Sequence, residues 1–165
     1  MKNLVLIGLP GCGKTTIGKR LAAELGLIFR DCDEEVERLA GKKIPEIFSQ
    51  DGEERFREWE KEVLADLLKK PGKVIATGGG VVLKSENREA LKRATVVFLN
   101  RKICNIMSTC DLAGRPVMQS CTLAELAQQR QAWYLACADH TVTAEDPDEI
   151  TAEIVAYWRE GTCAF

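Results

Sequence analysis

Leu4-Val5-Leu6-Ile7 is an unbroken apolar run, and behind a glycine-rich stretch Ile17, Leu21 and Leu25 recur at a spacing of four. The run predicts a strand buried on both faces; the spacing predicts a helix. The alternation then repeats. Leu27-Ile28-Phe29-Arg30, after a helix stop at Gly26, reads as a second strand ending at Asp31-Cys32-Asp33. Residues 33–39 read as a helix with acids in its first turn. A longer helix over Gly52 to Lys70 gathers Phe56, Trp59, Val63, Leu64 and Leu67 on one face, and Lys69-Lys70-Pro71-Gly72 end it. Val74-Ile75-Ala76 is a third strand running into Thr77-Gly78-Gly79-Gly80. Ser85 is expected to cap a helix reaching Arg93, and Thr95 to Leu99 is a fourth strand.

The pattern then weakens. Ser108 to Ser120 is polar, contains Gly114 and Pro116, and shows no clear period, so its core reads as a mobile flap. Thr122 and Glu125 form a capping box that opens a helix to about Ala138. His140 to Thr143 is a short fifth strand. Asp146-Pro147-Asp148-Glu149 starts a last helix with Ile150, Ile154, Tyr157 and Trp158 on its buried face, and the tail from Gly161 is expected to fray. Five strands alternating with helices argue for an α/β fold with a parallel sheet covered on both faces. Such sheets bind ligands beyond the carboxyl ends of their strands. The loop after strand one, the Asp31-Cys32-Asp33 turn and the triple glycine all sit at such ends and should converge.

Composition narrows the class. A chain of 165 residues is expected to form one domain, 1–165, with a full core. Its net charge of −2 gives no global attraction to nucleic acid or anionic membrane. No apolar run approaches the ~20 residues of a membrane span, and the first strand leaves no room for a signal peptide. Seven cysteines without a C-x-x-C pair read as reduced thiols of a cytoplasmic protein.

The loop after strand one carries the clearest chemistry. Gly8-Leu9-Pro10-Gly11-Cys12-Gly13-Lys14-Thr15 fits G-x-x-x-x-G-K-[ST] at every fixed position, between a strand and a helix as that motif requires. Its backbone N–H groups and the helix terminus bind phosphate, Lys14 reaches the β/γ-phosphates, and the Thr15 hydroxyl can hold Mg²⁺. A nucleoside triphosphate is therefore the expected donor. Asp31 and Asp33 can divide the tasks of holding Mg²⁺ and orienting an attacking hydroxyl, although a solvated acidic turn is the plainer reading. Three successive glycines let a backbone approach a ligand closely. Arg115, on the flap, can swing over phosphates in transfer. Periodicity alone leaves Arg57 pairing with Glu53 and Glu60, and Arg130 on the surface.

Together these pieces resemble the shikimate kinases: Gly8–Thr15, Asp31-x-Asp33, Gly52-Glu53 with Phe56-Arg57 and Glu60, Gly78-Gly79-Gly80, Arg115-Pro116, and Arg130 with Tyr134. Their order and approximate spacing match from Met1 to about Ile154. The resemblance implies a P-loop kinase of the nucleoside-monophosphate-kinase type, sheet order 2-3-1-4-5, with a lid at about 108–120 and a shikimate-binding helical segment at about 33–60. It implies transfer of the ATP γ-phosphate to the 3-hydroxyl of shikimate, with one Mg²⁺, in aromatic amino-acid biosynthesis, by a monomer. By matched position Gly11, Cys12, Gly13, Lys14, Thr15, Thr16 and Arg115 would hold ATP, with Lys14, Asp33 and Arg115 catalytic. Asp33, Arg57, Gly79, Gly80 and Arg130 would hold shikimate, and Thr15 and Asp31 the metal. Arginine suits a carboxylate through its planar fork, so Arg57 and Arg130 become a candidate clamp.

The chain departs from that pattern in places. The lid reads Arg115-Pro116-Val117-Met118 where R-P-L-L is usual, and the stretch to Arg130 is short. Ile106-Met107-Ser108 lacks the basic residue that often stacks on adenine, and Asp146-Pro147 lacks the usual arginine or asparagine before the proline. Cys12, beside Lys14 at a helix N-terminus, is expected to be a reactive thiol whose modification blocks ATP, or else a stand-in for serine. Cys32 lies between acids that oppose ionisation, and His140 lies far from every motif. A kinase for another polyol acid such as gluconate, and a non-catalytic ATP- or shikimate-binding sensor, remain alternatives at this level.

Overall fold

The computed structural model describes residues 2–112, 114–119 and 121–162. Among these, β1 (Leu4–Ile7), β2 (Ile28–Asp31), β3 (Lys73–Ala76), β4 (Thr95–Leu99) and β5 (His140–Val142) form one parallel sheet in the order β2-β3-β1-β4-β5. Every residue of β1 is fully buried. Side chains alternate between sheet faces, so both faces of the central strand are covered. The register aligns the strand ends that matter: Leu6 and Asp31 each pair with Ala76, and Ile7 pairs with Phe98. The loops after β1, β2 and β3 therefore leave one edge of the sheet side by side.

The helices are α1 (Lys14–Leu25), α2 (Cys32–Ala40), α3 (Ile44–Gln50), α4 (Gly52–Leu68), α5 (Ser85–Leu91), α6 (Ile103–Thr109), α7 (Leu123–Cys137) and α8 (Pro147–Thr162). Helix α1 lies against β3 and α8, while α2 and α3 pack on α4 beside the sheet edge. The capping box predicted at Thr122 is present, with the Glu125 N–H donating to the Thr122 hydroxyl. None of the helices among the described residues is long and apolar enough to cross a membrane.

Several boundaries move for local reasons. Strand β2 gains Asp31, whose backbone pairs with Ala76 while its Oδ1 accepts from Asp33 N at 2.9 Å and caps α2. Ser85 does not cap α5: Lys84 is the N-cap, and the Ser85 hydroxyl turns to Glu86. Tight turns from Ala90 and Leu91 stop that helix before Arg93. Helix α4 ends at Leu68, two residues early, and β5 ends at Val142. Val155, not Tyr157, completes the buried face of α8, and Tyr157 stacks on His140 instead.

Helices α3 and α6 have no counterpart in the sequence pattern. Each is seven residues with a single buried side chain, Ile47 and Ile106, so neither shows a period. The expected flap begins inside α6 and contains a 3-10 turn over Pro116–Gln119 held by Met118 N–H on Arg115 O. Ala113 and Ser120 of that flap lie outside the described residues, as do residues 163–165 of the tail expected to fray; the helix before them runs through Thr162.

Candidate active site

Two cavities meet at the carboxyl edge of the sheet. One, about 450 Å³, is floored by Gly11, Gly13, Lys14 and Thr15. The other, about 410 Å³, is walled by Phe48, Phe56, Arg57 and Arg130. Asp33, Gly78, Gly79 and Arg115 line both.

The first cavity is built from backbone. Gly13 caps α1 at φ 98°, a left-handed conformation that costs a side-chain-bearing residue roughly 1–2 kcal/mol. This turn aims the N–H groups of the loop and the first turn of α1 into the cavity, where anions are favoured. Lys14 is buried, its ammonium donating to Gly8 O and Leu9 O at 2.8 Å each. Thr16 lines the same cavity beside Thr15. Thr15 Oγ1 donates to Asp31 Oδ2 at 2.7 Å. That pair presents hard oxygen ligands at the mouth of the phosphate loop. Mg²⁺ characteristically takes only one or two protein oxygens and completes its shell with phosphate and water. The two residues fit that demand.

Cys12 corrects an expectation. Its side chain is fully buried, with Sγ 3.6 Å from Lys14 Nζ, and it faces away from the cavity. A reagent has no path to it in this conformation, so it serves as a small apolar filler of the loop interior. Any contact it makes with a nucleotide is through its backbone. Cys32 is likewise buried, and burial, with Asp33, Glu60 and Asp31 behind it, pushes its thiol well above the ordinary range.

Asp33 sits where the cavities join. Burial raises its pKa to about 6, assisted by the charges of Asp31 and Glu60, while Lys14 and Arg115 pull the other way. A carboxylate with that value is basic enough to take a hydroxyl proton and still ionised at neutral pH.

The second cavity is built from side chains. Arg57 and Glu60 are both buried in α4, 5% and 1% exposed, and Arg57 Nη1 donates to Glu60 Oε2 at 3.0 Å. Arg57 Nη2 reaches Glu53 at 3.2 Å. Arg130, on α7, is 3% exposed; its surface reading from periodicity is therefore wrong. The apolar residues of α7 are spread around its circumference, so no stripe identified the inward face. Burial pushes the pKa of Glu60 up, and Arg57 and Arg130 partly offset this. Among the described residues four side-chain polar atoms are buried without a hydrogen-bond partner: Asn87 Nδ2 on α5 and, within this site, Arg57 Nε, Arg130 Nε and Glu60 Oε1. Orphaned buried polar atoms cost about 1–3 kcal/mol each, so a cluster of three marks a place built for a ligand.

The triple glycine is required by these neighbours. A Cβ at Gly80 would collide with the Arg57 guanidinium, and one at Gly78 would lie 2.8 Å from Glu60 Oε1 and 3.0 Å from Asp33 Oδ1. Tyr134, stacked on Phe98 with centroids 5.0 Å apart, donates to Gly79 O and pins the segment to α7. Glu60 and Tyr134 carry no assigned role in the sequence reading, although both stand in its motifs. The signal for Glu60 was its place three residues from Arg57 on the apolar face of α4.

A family model described as shikimate kinase matches residues 10–159. The shikimate kinase of Salinispora arenicola is 42% identical over 158 residues, covering 92% of this chain and 95% of its own. That of Thermodesulfovibrio yellowstonii is 41% identical over 163 residues, covering 94% of each. Among solved structures, shikimate kinase from Acinetobacter baumannii in complex with shikimate superposes with a TM-score of 0.92 at 34% identity, covering 98% of this chain and 94% of that one. With its phosphate loop, its sheet order and its relatives along nearly the whole length in agreement, this chain belongs to the shikimate kinase family.

Proposed function

We propose that this kinase carries the γ-phosphoryl group of ATP to the 3-hydroxyl of shikimate across the strip of residues shared by its two cavities. The carrying observation is that Asp33, Gly78, Gly79 and Arg115 line both the phosphate-loop cavity and the arginine cavity, so donor and acceptor meet at one carboxylate and one guanidinium.

Each residue then has a task. Backbone N–H groups at Gly11, Gly13, Thr15 and Thr16 cradle the triphosphate, joined by that of Cys12 when it exchanges Leu9 O for phosphate, and Lys14 exchanges its loop carbonyls for phosphate oxygens. Arg57 and Arg130 hold the shikimate carboxylate through the parts of their guanidinium groups that line the acceptor cavity. Gly79 and Gly80 bring backbone beside the ring, and Phe48 and Phe56 cover its apolar edge. The 3-hydroxyl oxygen attacks the γ-phosphorus, its proton passes to Asp33, and the bond to the β–γ bridging oxygen breaks to release ADP. Arg115 stands over both cavities and stabilises charge in transfer. Thr15 and Asp31 would hold one Mg²⁺, which supplies charge neutralisation at the phosphates when bound.

On the same reading residues 1–165 form one kinase domain, with 33–60 as the acceptor-binding segment and 108–120 as the lid. The chain acts as a monomer in the cytoplasm, a setting supported by six free cysteines among the described residues. The test is ADP release over a panel of shikimate, quinate, gluconate and nucleoside monophosphates, with the product's phosphorylated position read by NMR. Turnover with shikimate alone and phosphorus on the 3-oxygen is expected. Equal turnover with gluconate, or a phosphate on another hydroxyl, overturns the assignment.

A further inference from the structure

The nucleotide cavity has a cation that the sequence motifs do not contain. Arg101 lies just beyond the end of β4, outside the phosphate loop, the lid and the acceptor clamp. Its side chain is only 14% exposed, and Nε donates to Glu145 Oε2 at 3.0 Å. The other Glu145 oxygen accepts from the Lys102 backbone N–H at 2.7 Å. One carboxylate oxygen thus fixes the arginine and the other ties Glu145 to the backbone that carries it. Although burial opposes ionisation, the bonds from Lys102, Asn105 and Arg101 hold the Glu145 pKa below the usual carboxylate range.

Fixing Nε leaves the Nη edge of the guanidinium to point elsewhere. Nη1 stands 4.0 Å from the position a Cβ on Gly13 would take, next to Ile17, and Arg101, Glu145 and Pro147 all line the phosphate-loop cavity. Nη1 therefore lies beside the N-terminus of α1, where the phosphate loop favours anions. A guanidinium presented edge-on makes in-plane N–H bonds to an oxyanion; a guanidinium that stacks on a base presents its face.

We infer that Arg101, oriented by Glu145, is a nucleotide-binding residue of this chain that donates to the α-phosphate of ATP and ADP. It supplies a basic contact beside Gly13 that the end of α6 does not. Thr109 and Cys110, which follow Ser108 and line the same cavity, are uncharged. The inference rests on the proposal that the nucleotide occupies the phosphate loop.

The test combines steady-state kinetics with calorimetric binding of ADP and adenosine to the full chain. Arg101→Ala should raise the KM for ATP and the Kd for ADP about tenfold, as expected for loss of one charge-assisted bond. It should leave the KM for shikimate and kcat within twofold, and adenosine binding unchanged. GTP should lose as much as ATP, since the α-phosphate is common to both. Arg101→Lys, which keeps the charge but not the fork, should recover part of the loss and gives the same readout if the alanine variant folds poorly. Unchanged ADP affinity in both variants overturns the inference, and so does an equal loss for adenosine, which would place the contact on the base. Lys14→Ala serves as control: if it leaves ADP binding intact, the phosphate-loop reading itself fails, whatever Arg101 does.

Discussion

The two halves of the active site are made in different ways. The donor half is a contiguous loop whose working groups are mostly backbone N–H, set by Gly13 at φ 98° and the start of α1. The acceptor half is assembled from α2, α4, α7 and the triple glycine, and its working groups are buried side chains. A backbone site tolerates change in the side chains it does not use, as Cys12 inside the loop illustrates. A side-chain site in a dry environment does not, because each charge relies on its neighbours. Arg57, Glu60 and Arg130 form one electrostatic unit in which removing a member leaves the others uncompensated, while Asp33 beside them is an acid that Glu60 repels.

The sharpest break comes at the carboxylate between the halves. Asp33→Asn is expected to lower kcat by 10²- to 10⁴-fold, a range typical of a lost general base, with ATP binding little changed. The same variant should be more stable than the native protein near neutral pH. The folded state holds the Asp33 proton up to about pH 6. The unfolded chain releases it near its ordinary value, so native stability falls as pH rises through that interval. Above it, ionised Asp33 opposes folding by on the order of 2–3 kcal/mol, and thermal melts of the two proteins at pH 7.5 and pH 4 measure this. A turnover above one tenth of native, or a lower melting temperature at pH 7.5, would break the account.

The arginines should separate binding from folding. Arg130→Ala is expected to raise the KM for shikimate roughly 10- to 100-fold, because a charge-assisted bond contributes about 1.5–3 kcal/mol. Arg57→Ala should do likewise and also destabilise the protein by about 3 kcal/mol, since it strands Glu60 as a buried charge. Denaturant unfolding of Arg57→Ala beside the double variant Arg57→Ala/Glu60→Gln isolates that cost: the second substitution should return much of it. If both arginine variants keep the native KM, the clamp is refuted.

The pH profile is a milder probe of the same junction. In the free enzyme, kcat/KM for shikimate should fall roughly tenfold per unit below about pH 6, as Asp33 takes up its proton, and level off above it. A profile flat down to pH 4.5 would remove Asp33 as the base.

Smaller effects belong to the donor half. Asp31→Asn is expected to raise the Mg²⁺ concentration for half-maximal rate several-fold, with the KM for shikimate unchanged, because Asp31 reaches the metal position beside Thr15 and not the acceptor. Cys12→Ser should leave turnover within about twofold, because a hydroxyl of similar size can accept from the Lys14 ammonium that now stands 3.6 Å from Sγ. Thiol labelling followed by mass spectrometry should mark exposed Cys104 well before buried Cys12. Rapid labelling of Cys12, prevented by ATP, would restore the reactive-thiol view.

Much of the donor half was legible because its determinants are local. The strand before it, the helix after it and the fixed positions between them occupy residues 4–25, and the structure reproduces their limits closely. The acceptor half was legible only through resemblance. The burial of Arg130 depends on α7 docking over the sheet, with Tyr134 stacked on Phe98 and bonded to Gly79, and the apolar residues of α7 form no stripe to announce it. Helix α3 escaped for a different reason: seven residues are too few for a period, and Phe48 gains meaning only opposite Phe56.

What the sequence by itself determined was the order of the five strands and of six of the eight helices among the described residues, the phosphate loop and the convergence of three strand-end features, because these follow from periodicity and from where parallel sheets place their ligands. Tertiary structure alone decided which charges are dry. It buried Arg57 with Glu60, lifted Asp33 toward neutrality, turned Cys12 away from the cleft and fixed Arg101 on Glu145. The strength of a charge is set by how much water its neighbours exclude, and those neighbours lie far apart along the chain.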